Sequence, residues 1–400
     1  MKKVPELRFP CFKDEWRLTD LKHSCEVNPN NTKLPESFYY IDLEAVQKGL
    51  LVKEPTIINR EDAPSRAQRV LRPSDILFQT VRPYQKNNYI FKSENDLKTV
   101  ASTGYAQLRA KNNYPGFIYH YIHNTSFVNK VLSRCTGTSY PAINSTDLGN
   151  VPIYLPSLPE QQKIADFFST LDSRIETQEE KIRNLEDQKK GYMQRIFSQE
   201  IRFKDENGED YPEWEEKRLG EFIRLQGGYA FKSSEYTDSG VPIIRISNIY
   251  KKINHEDDIV YSEEIEIDEK FIIKSGDLLI AMSGATTGKI GIYMYNTNSY
   301  LNQRVGKFVK KSNDLFYSYL YHLMESDLYI KQLKQRLIAG AQPNISPSDL
   351  ESMEFIFPSF TEQQKIANFL SLFDEKIDIE RKILDTLQEM KRGFLQKMFV

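Results

Sequence analysis

Hydrophobic residues recur at alternating steps of four and three from Ile164: Ile164, Phe168, Leu171, Ile175, Ile182, Leu185, Tyr192 and Ile196, with polar Gln178 and Lys189 filling two places in the series. The rhythm returns at Ile366, Leu370, Phe373, Ile377, Leu384, Leu387, Phe394 and Met398, with Glu380 and Lys391 as its polar members. A 3.5-residue period held this long predicts coiled-coil helices. Each would run ~34 residues, or about 50 Å at about 1.5 Å per residue. Pro159 and Pro358 stand just before the helices, where proline is tolerated. The simplest partner for one helix is the other, packed antiparallel; alternatively, each lies on its own globular block. The polar seam positions either fix register at a cost in stability or form a solvated notch.

The regions before each helix read differently. Residues 1–154 and 202–356 alternate short β-rich runs with turns, as in Ser37–Leu43, Asp75–Val81, Val241–Ser247 and Asp277–Met282. Each closes with Tyr-rich helical sequence, near Tyr114–Val131 and Leu315–Leu337. The pattern predicts an α+β fold: two globular domains (1–154 and 202–356) joined by two long antiparallel coiled-coil helices (155–201 and 357–400) in a pseudo-two-fold repeat.

The repeat is explicit in the residues. Pro156-Ser-Leu-Pro-Glu-Gln-Gln-Lys-Ile-Ala165 reappears as Pro358-Ser-Phe-Thr-Glu-Gln-Gln-Lys-Ile-Ala367, and matches continue to Phe197/Phe399. The spacing, about half the chain, exceeds any solenoid unit and points to a duplicated half. Weaker landmarks also correspond: Trp16-Arg-Leu18 with Lys217-Arg-Leu219, Ser74-Asp-Ile-Leu77 with Gly276-Asp-Leu-Leu279, and Pro141-Ala-Ile143 with Pro343-Asn-Ile345. Between landmarks the copies diverge. A shared scaffold with different loops predicts two sites of one type with different specificities.

Composition changes this picture little. Hydrophobic residues make up 40% and charged residues 28%, ordinary globular usage, and no apolar run approaches the ~20 residues of a membrane span. Cys11, Cys25 and Cys135 are scattered, which fits a reducing cytoplasm and argues against a zinc or disulfide framework. Charge is uneven. Residues 1–150 carry 21 Lys and Arg against 15 Asp and Glu, whereas residues 202–357 carry 19 against 25. The first block suits an anionic partner; the second must gather its basic residues on one face to do the same.

Catalytic motifs fail one by one. Ser283-Gly-Ala-Thr-Thr-Gly-Lys-Ile290 resembles a phosphate loop, but serine replaces its first glycine and isoleucine the magnesium-holding hydroxyl, so a tight turn between strands is expected. His120-x-x-His123 lacks a third metal ligand at useful spacing. Glu179/Lys181 and Glu380/Lys382 fall on charged helix flanks. With no nucleophile elbow or cofactor loop, the chain reads as non-catalytic, without a metal or cofactor of its own.

Two divergent blocks, each followed by a heptad helix opening with Glu-Gln-Gln-Lys-Ile-Ala, closely resemble the DNA-specificity subunit of Type I restriction–modification enzymes. Further marks are Leu225-Gln-Gly-Gly-Tyr-Ala-Phe231, Gly276-Asp-Leu-Leu-Ile280, Leu301-Asn-Gln-Arg304 and Gly340-Ala-Gln-Pro343. The first block departs from them: Lys22-His-Ser-Cys25 stands where Gly-Gly-Tyr-Ala is expected. The resemblance implies that each block is a target-recognition domain reading half of a bipartite double-stranded DNA site. The paired helices would set the gap between halves. It also implies two methylation subunits using S-adenosylmethionine and two restriction subunits using ATP and Mg.

Base readout favours Arg or Lys for guanine and Asn or Gln for adenine; phosphate contacts favour Lys, Arg, Ser and Thr. The expected DNA-binding residues of the first block are Arg82, Tyr84, Gln85, Lys86, Asn87, Asn88, Ser102, Thr103, Tyr105, Thr138, Ser139 and Tyr140. Those of the second are Gln226, Tyr229, Arg245, Ser247, Asn248, Ser283, Thr286, Thr287, Lys289, Gln303, Arg304 and Gln342. A non-catalytic coiled-coil scaffold joining two protein-binding domains shares the helices, and differs in having no salt-dependent affinity for DNA.

Overall fold

A computed structural model describes residues 4–30, 33–92, 96–250, 253, 258–338 and 344–400. The chain forms two compact units: residues 1–180 with 381–400, and residues 181–380. The long helices span Leu158–Phe197 and Phe360–Lys397, so each unit holds the start of one helix and the end of the other. Both are longer than the periodicity alone predicts. Pro159 lies inside the first turn rather than before it, where its missing N–H costs no helical bond.

The first unit contains two four-stranded sheets. One runs, in spatial order, Cys25–Val27, Tyr105–Ala110, Ile76–Gln79 and Tyr89–Ile90, all antiparallel. The other runs Thr56–Asn59, Ser37–Ile41, Thr99–Ser102 and Ala67–Val70, with a parallel pair at its centre. The second unit repeats both. Its antiparallel sheet is Ile223–Gly227, Val305–Lys310, Leu278–Ala281 and Ile290–Ile292. Its mixed sheet is Val260–Ser262, Val241–Ile244, Ser299–Leu301 and Ile272–Ile273, again parallel at the centre. The Tyr-rich segments form helices Pro115–Tyr121 and Thr125–Leu132 in one unit, Tyr317–Glu325 and Asp327–Ile338 in the other.

Strand pairing corrects two sequence landmarks. Arg17 pairs with Leu155 and Glu215 with Phe357, which makes Trp16 the counterpart of Trp214 rather than of Lys217. Cys25 pairs with Ala110 and Ile223 with Lys310. Lys22-His-Ser-Cys25 therefore matches Gly220–Ile223 and does not replace the Gly-Gly-Tyr-Ala segment.

The repeated Glu-Gln-Gln motif is an anchor. Glu160 is buried at the helix start, accepts a bidentate pair from Arg8 (2.7 and 2.8 Å) and lies 3.4 Å from the Trp16 indole nitrogen. Glu362 is fully buried and takes Arg202 (3.3 and 3.0 Å) and the Trp214 indole (3.0 Å). The chain's two tryptophans thus do one job twice. The next residue fastens the globular core: Gln161 accepts from Tyr114 N and donates to Asn113 Oδ1 and Pro156 O, while Gln363 accepts from Phe316 N and donates to Asp314 O and Pro358 O.

Within each unit the helix segments pack antiparallel and also enter the globular core. In the first, Phe167 meets Phe394 at 5.0 Å, Phe168 stacks on Phe399 at 5.6 Å, and Lys391 pairs with Asp172 at 2.5 Å. In the second, Tyr192 meets Phe369 and Phe373, and Lys189 reaches Asp374 and Glu325 at 2.9 and 2.7 Å. Ile164 and Phe168 belong to the core around Trp16 and Phe117; Ile366 and Leu370 belong to that around Leu219 and Tyr319. The two packing alternatives are therefore both partly realised. Leu171, Ile182, Leu185 and Ile377 are buried, while Ile175, Phe373, Leu384 and Leu387 are half-buried. Near the helix end Met193 and Phe197 enter the globular core in addition to the heptad position Ile196, while Tyr192 stays at the seam with its ring partly exposed.

The polar seam is ionic rather than a solvated notch at Lys189, which is 5% exposed. His322, Glu325 and Asp374 cluster closely enough to suggest a metal site that sequence spacing did not reveal, and the Lys189 ammonium supplies positive charge to both carboxylates. In the first unit His120 packs 5.0 Å from Phe168, and the His123 ring bonds Tyr119 O at 2.6 Å. Burial lowers both imidazoles, His123 to about 4.

Two outcomes follow from these buried groups. Glu362→Ala strands the Trp214 N–H and removes the main ion pair of Arg202, whose remaining bonds to the Tyr211 and Pro212 carbonyls temper the loss to about 2–3 kcal/mol in urea denaturation. His123 is neutral when folded and, with an ordinary value of 6.5 unfolded, takes up its proton on unfolding between that pH and about 4. Stability therefore falls as pH drops through this window, and His123→Gln should flatten the decline in denaturation midpoints measured across it.

Candidate nucleic-acid interface

The predicted recognition loops converge within each unit through backbone bonds. In the first, Thr80 N and Oγ1 donate to Gly104 O, Arg82 N to Pro141 O, and Ile143 N to Thr80 O. These join segments 80–88, 102–104 and 136–143. In the second, Met282 N donates to Arg304 O, Ile345 N to Met282 O, Tyr229 N to Leu301 O, and Thr286 Oγ1 to Ile246 O. These join segments 226–229, 245–248, 282–289 and 301–304. The Ile143–Thr80 and Ile345–Met282 bonds are the same bond in two copies. The glycine-containing Ser283–Ile290 segment is the expected tight turn between strands, with Gly284 and Gly288 in left-handed backbone at φ +80° and +82°.

Side chains at these loops divide into exposed and internal. Tyr84, Gln85, Thr138, Ser139, Tyr140, Tyr229, Ser247, Lys289, Gln303 and Arg304 are exposed, and Arg82, Lys86, Asn87, Thr103, Gln226, Arg245, Ser283, Thr286 and Thr287 are half-buried. Four expected contacts are corrected by burial. Asn88 is 1% exposed, its amide oxygen accepting from Gln79 N. Ser102 accepts from Gly104 N, and the Tyr105 ring is fully buried with its hydroxyl donating to Leu43 O. Asn248 is fully buried and caps Arg245 N. These amide and hydroxyl groups read as base-reading chemistry in sequence, yet they hold the loops in shape. Gln342 and its neighbours in 340–343 lie outside the described residues.

Several half-buried candidates are also engaged. Lys86 Nζ donates to His123 O, Asn87 Oδ1 accepts from Lys48 N, and Arg245 pairs with Asp258 at 3.0 Å. Burial lowers the Lys86 ammonium below its ordinary range. Sequence reasoning missed Arg66, exposed on the first unit's loop cluster because its carbonyl accepts from Thr103 N. It also missed Tyr250, exposed beneath Lys289 at 5.9 Å. Neither carried a spacing signal, since tertiary contacts alone bring them to the loops. Cation, amide and aromatic groups on one loop cluster can contact phosphates, base edges and base faces.

The family model for the Type I restriction modification DNA specificity domain matches residues 25–187 and 211–389, one match for each copy of the repeat. The chain belongs to this family. It is 29% identical over 90% of its length to the MjaVIII Type I restriction enzyme specificity subunit of Methanocaldococcus jannaschii, covering 85% of that protein. The Escherichia coli EcoKI specificity subunit is 23% identical over 72% of the chain and 65% of its own length. The fold is that of the Type-I restriction-modification S subunit from M. genitalium, with a TM-score of 0.61, 17% identity and 99% of both chains covered. A chain of another type I R-M system superposes at TM-score 0.57 with 24% identity, covering 95% of this chain and 96% of that one. Among the described residues, no helix is long and apolar enough to cross a membrane.

Proposed function

We propose that this chain is the DNA sequence-specificity subunit of a Type I restriction–modification complex. Each unit's loop cluster contacts one half of a bipartite double-stranded site. The observation that carries the reading is the duplicated loop skeleton: identical backbone bonds at Thr80/Ile143 and Met282/Ile345 support different exposed residues, Tyr84, Ser139 and Tyr140 in one unit, Lys289, Gln303 and Arg304 in the other. Equal scaffolds with unequal surfaces suit two unequal half-sites. A protein-joining scaffold without nucleic acid leaves the family match on both copies unexplained.

The chain has a selecting rather than a chemical role. Two methylation subunits would bring S-adenosylmethionine and flip the target adenine, and two restriction subunits would bring ATP and Mg. The long helices, paired antiparallel within each unit, set the separation of the half-sites and dock the methylation subunits.

Inserting one heptad into each long helix adds about 10 Å. At about 3.4 Å per base pair, the gap in the methylated motif should lengthen by about three base pairs with both half-sites unchanged. Methylome sequencing of cells carrying the variant measures this; an unchanged gap contradicts the ruler.

A further inference from the structure

Two positions of the first unit's loop hold left-handed backbone under large side chains: Arg82 at φ +53° and Lys86 at φ +54°. The second unit has glycine at both equivalents, Gly284 at φ +80° and Gly288 at φ +82°. The equivalence of Arg82 and Gly284 rests on hydrogen bonds. Each lies two residues after the strand-end carbonyl that accepts from Ile143 or Ile345 N. Each also accepts from the N–H three residues on, Gln85 N to Arg82 O and Thr287 N to Gly284 O. Left-handed backbone is cheap for glycine and strained for residues with a Cβ. In the duplicate, packing against Ile246 and Leu333 as well as the backbone favours glycine at these two places. In the first unit a large side chain is retained at Arg82 against the backbone strain, which points to a use.

Four neighbouring side chains each have a polar atom engaged within the fold. Lys86 Nζ donates to His123 O at 2.8 Å, Gln85 Oε1 accepts from Gln79 Nε2, Asn87 Oδ1 from Lys48 N, and Asn88 Oδ1 from Gln79 N. Arg82 differs. Among the described residues its guanidinium makes no hydrogen bond or ion pair, and it lies 4.3 Å from the ring centroid of Tyr140, itself 65% exposed. Stacking restrains the planar group while leaving its N–H fork for another acceptor.

We propose that Arg82 is a guanine-reading residue of the first unit, its fork donating to O6 and N7 of one guanine in the major groove, with Tyr140 as its positioning residue. The proposal rests on the reading of this loop cluster as a DNA interface. It goes further in naming the base: the half-site read by the first unit contains a G·C pair that depends on one side chain. The second unit has no arginine at that place.

The test uses the chain assembled with its methylation subunits, comparing the parent with R82G and R82K. R82G copies the duplicate's own residue, so it should fold with a melting temperature no lower than the parent's. Discrimination at one G·C pair in one half-site should fall roughly 10- to 100-fold, with affinity for random DNA unchanged. R82K keeps the charge but not the fork and should lose the same discrimination. Equal weakening on specific and random DNA, with a salt slope shallower by about one, would mark a phosphate contact and overturn the assignment. A parent complex with no bipartite methylation motif overturns the specificity reading itself. An intact motif in R82G overturns only the role of Arg82.

Discussion

Each unit is organised around one carboxylate taken out of water. A buried glutamate carboxylate is tolerable only where opposite charge and hydrogen bonds compensate it. Glu160 has Arg8 and Trp16; Glu362 has Arg202 and Trp214. Those partners come from the segment preceding each unit's first strand, and the glutamates stand at the first turn of each long helix. The ion pair therefore fastens the beginning of a domain to the helix that follows it in sequence. The adjacent Gln161 and Gln363 tie in the Tyr114 and Phe316 backbone. With the helix start, first strand and Tyr-rich helices fixed to one another, the sheets are held and their loops are presented from a rigid base.

The duplication then acts as an internal comparison. Backbone hydrogen bonds, sheet order and the buried glutamate recur, because both copies solve the same folding problem. Exposed loop residues do not recur, because nothing in the fold constrains them. Where the copies differ at a buried place, the chemistry changes without the plan: Lys189 meets Glu325 and Asp374, while Lys391 meets Asp172 beside neutral His120 and His123.

The long helices were legible because a 3.5-residue period is a direct imprint of packing, and the strands because alternation and turn residues bound them. The anchoring role of Glu160 and Glu362 was not, since a charged residue in a helix's first turn reads as solvated until its partners appear 152 to 160 residues away in sequence. The Trp16–Trp214 equivalence was hidden by a four-residue difference in length between the copies, which falls after strands Cys25–Val27 and Ile223–Gly227 and before strands Ile76–Gln79 and Leu278–Ala281. Within the candidate interface, residue type located the loops but did not separate surface from scaffold. Asn88 and Asn248 have the side chain of a base reader and the burial of a structural cap.

If each unit carries its own recognition loops on a common frame, exchanging one unit for a copy of the other must duplicate a half-site. A chain in which residues 202–356 are replaced by residues 1–154, joined at the matching Glu-Gln-Gln helix starts, tests it directly. Methylome sequencing of cells expressing that chain with its methylation subunits should show one motif built from the same half-sequence twice. A motif retaining two different halves would contradict the account.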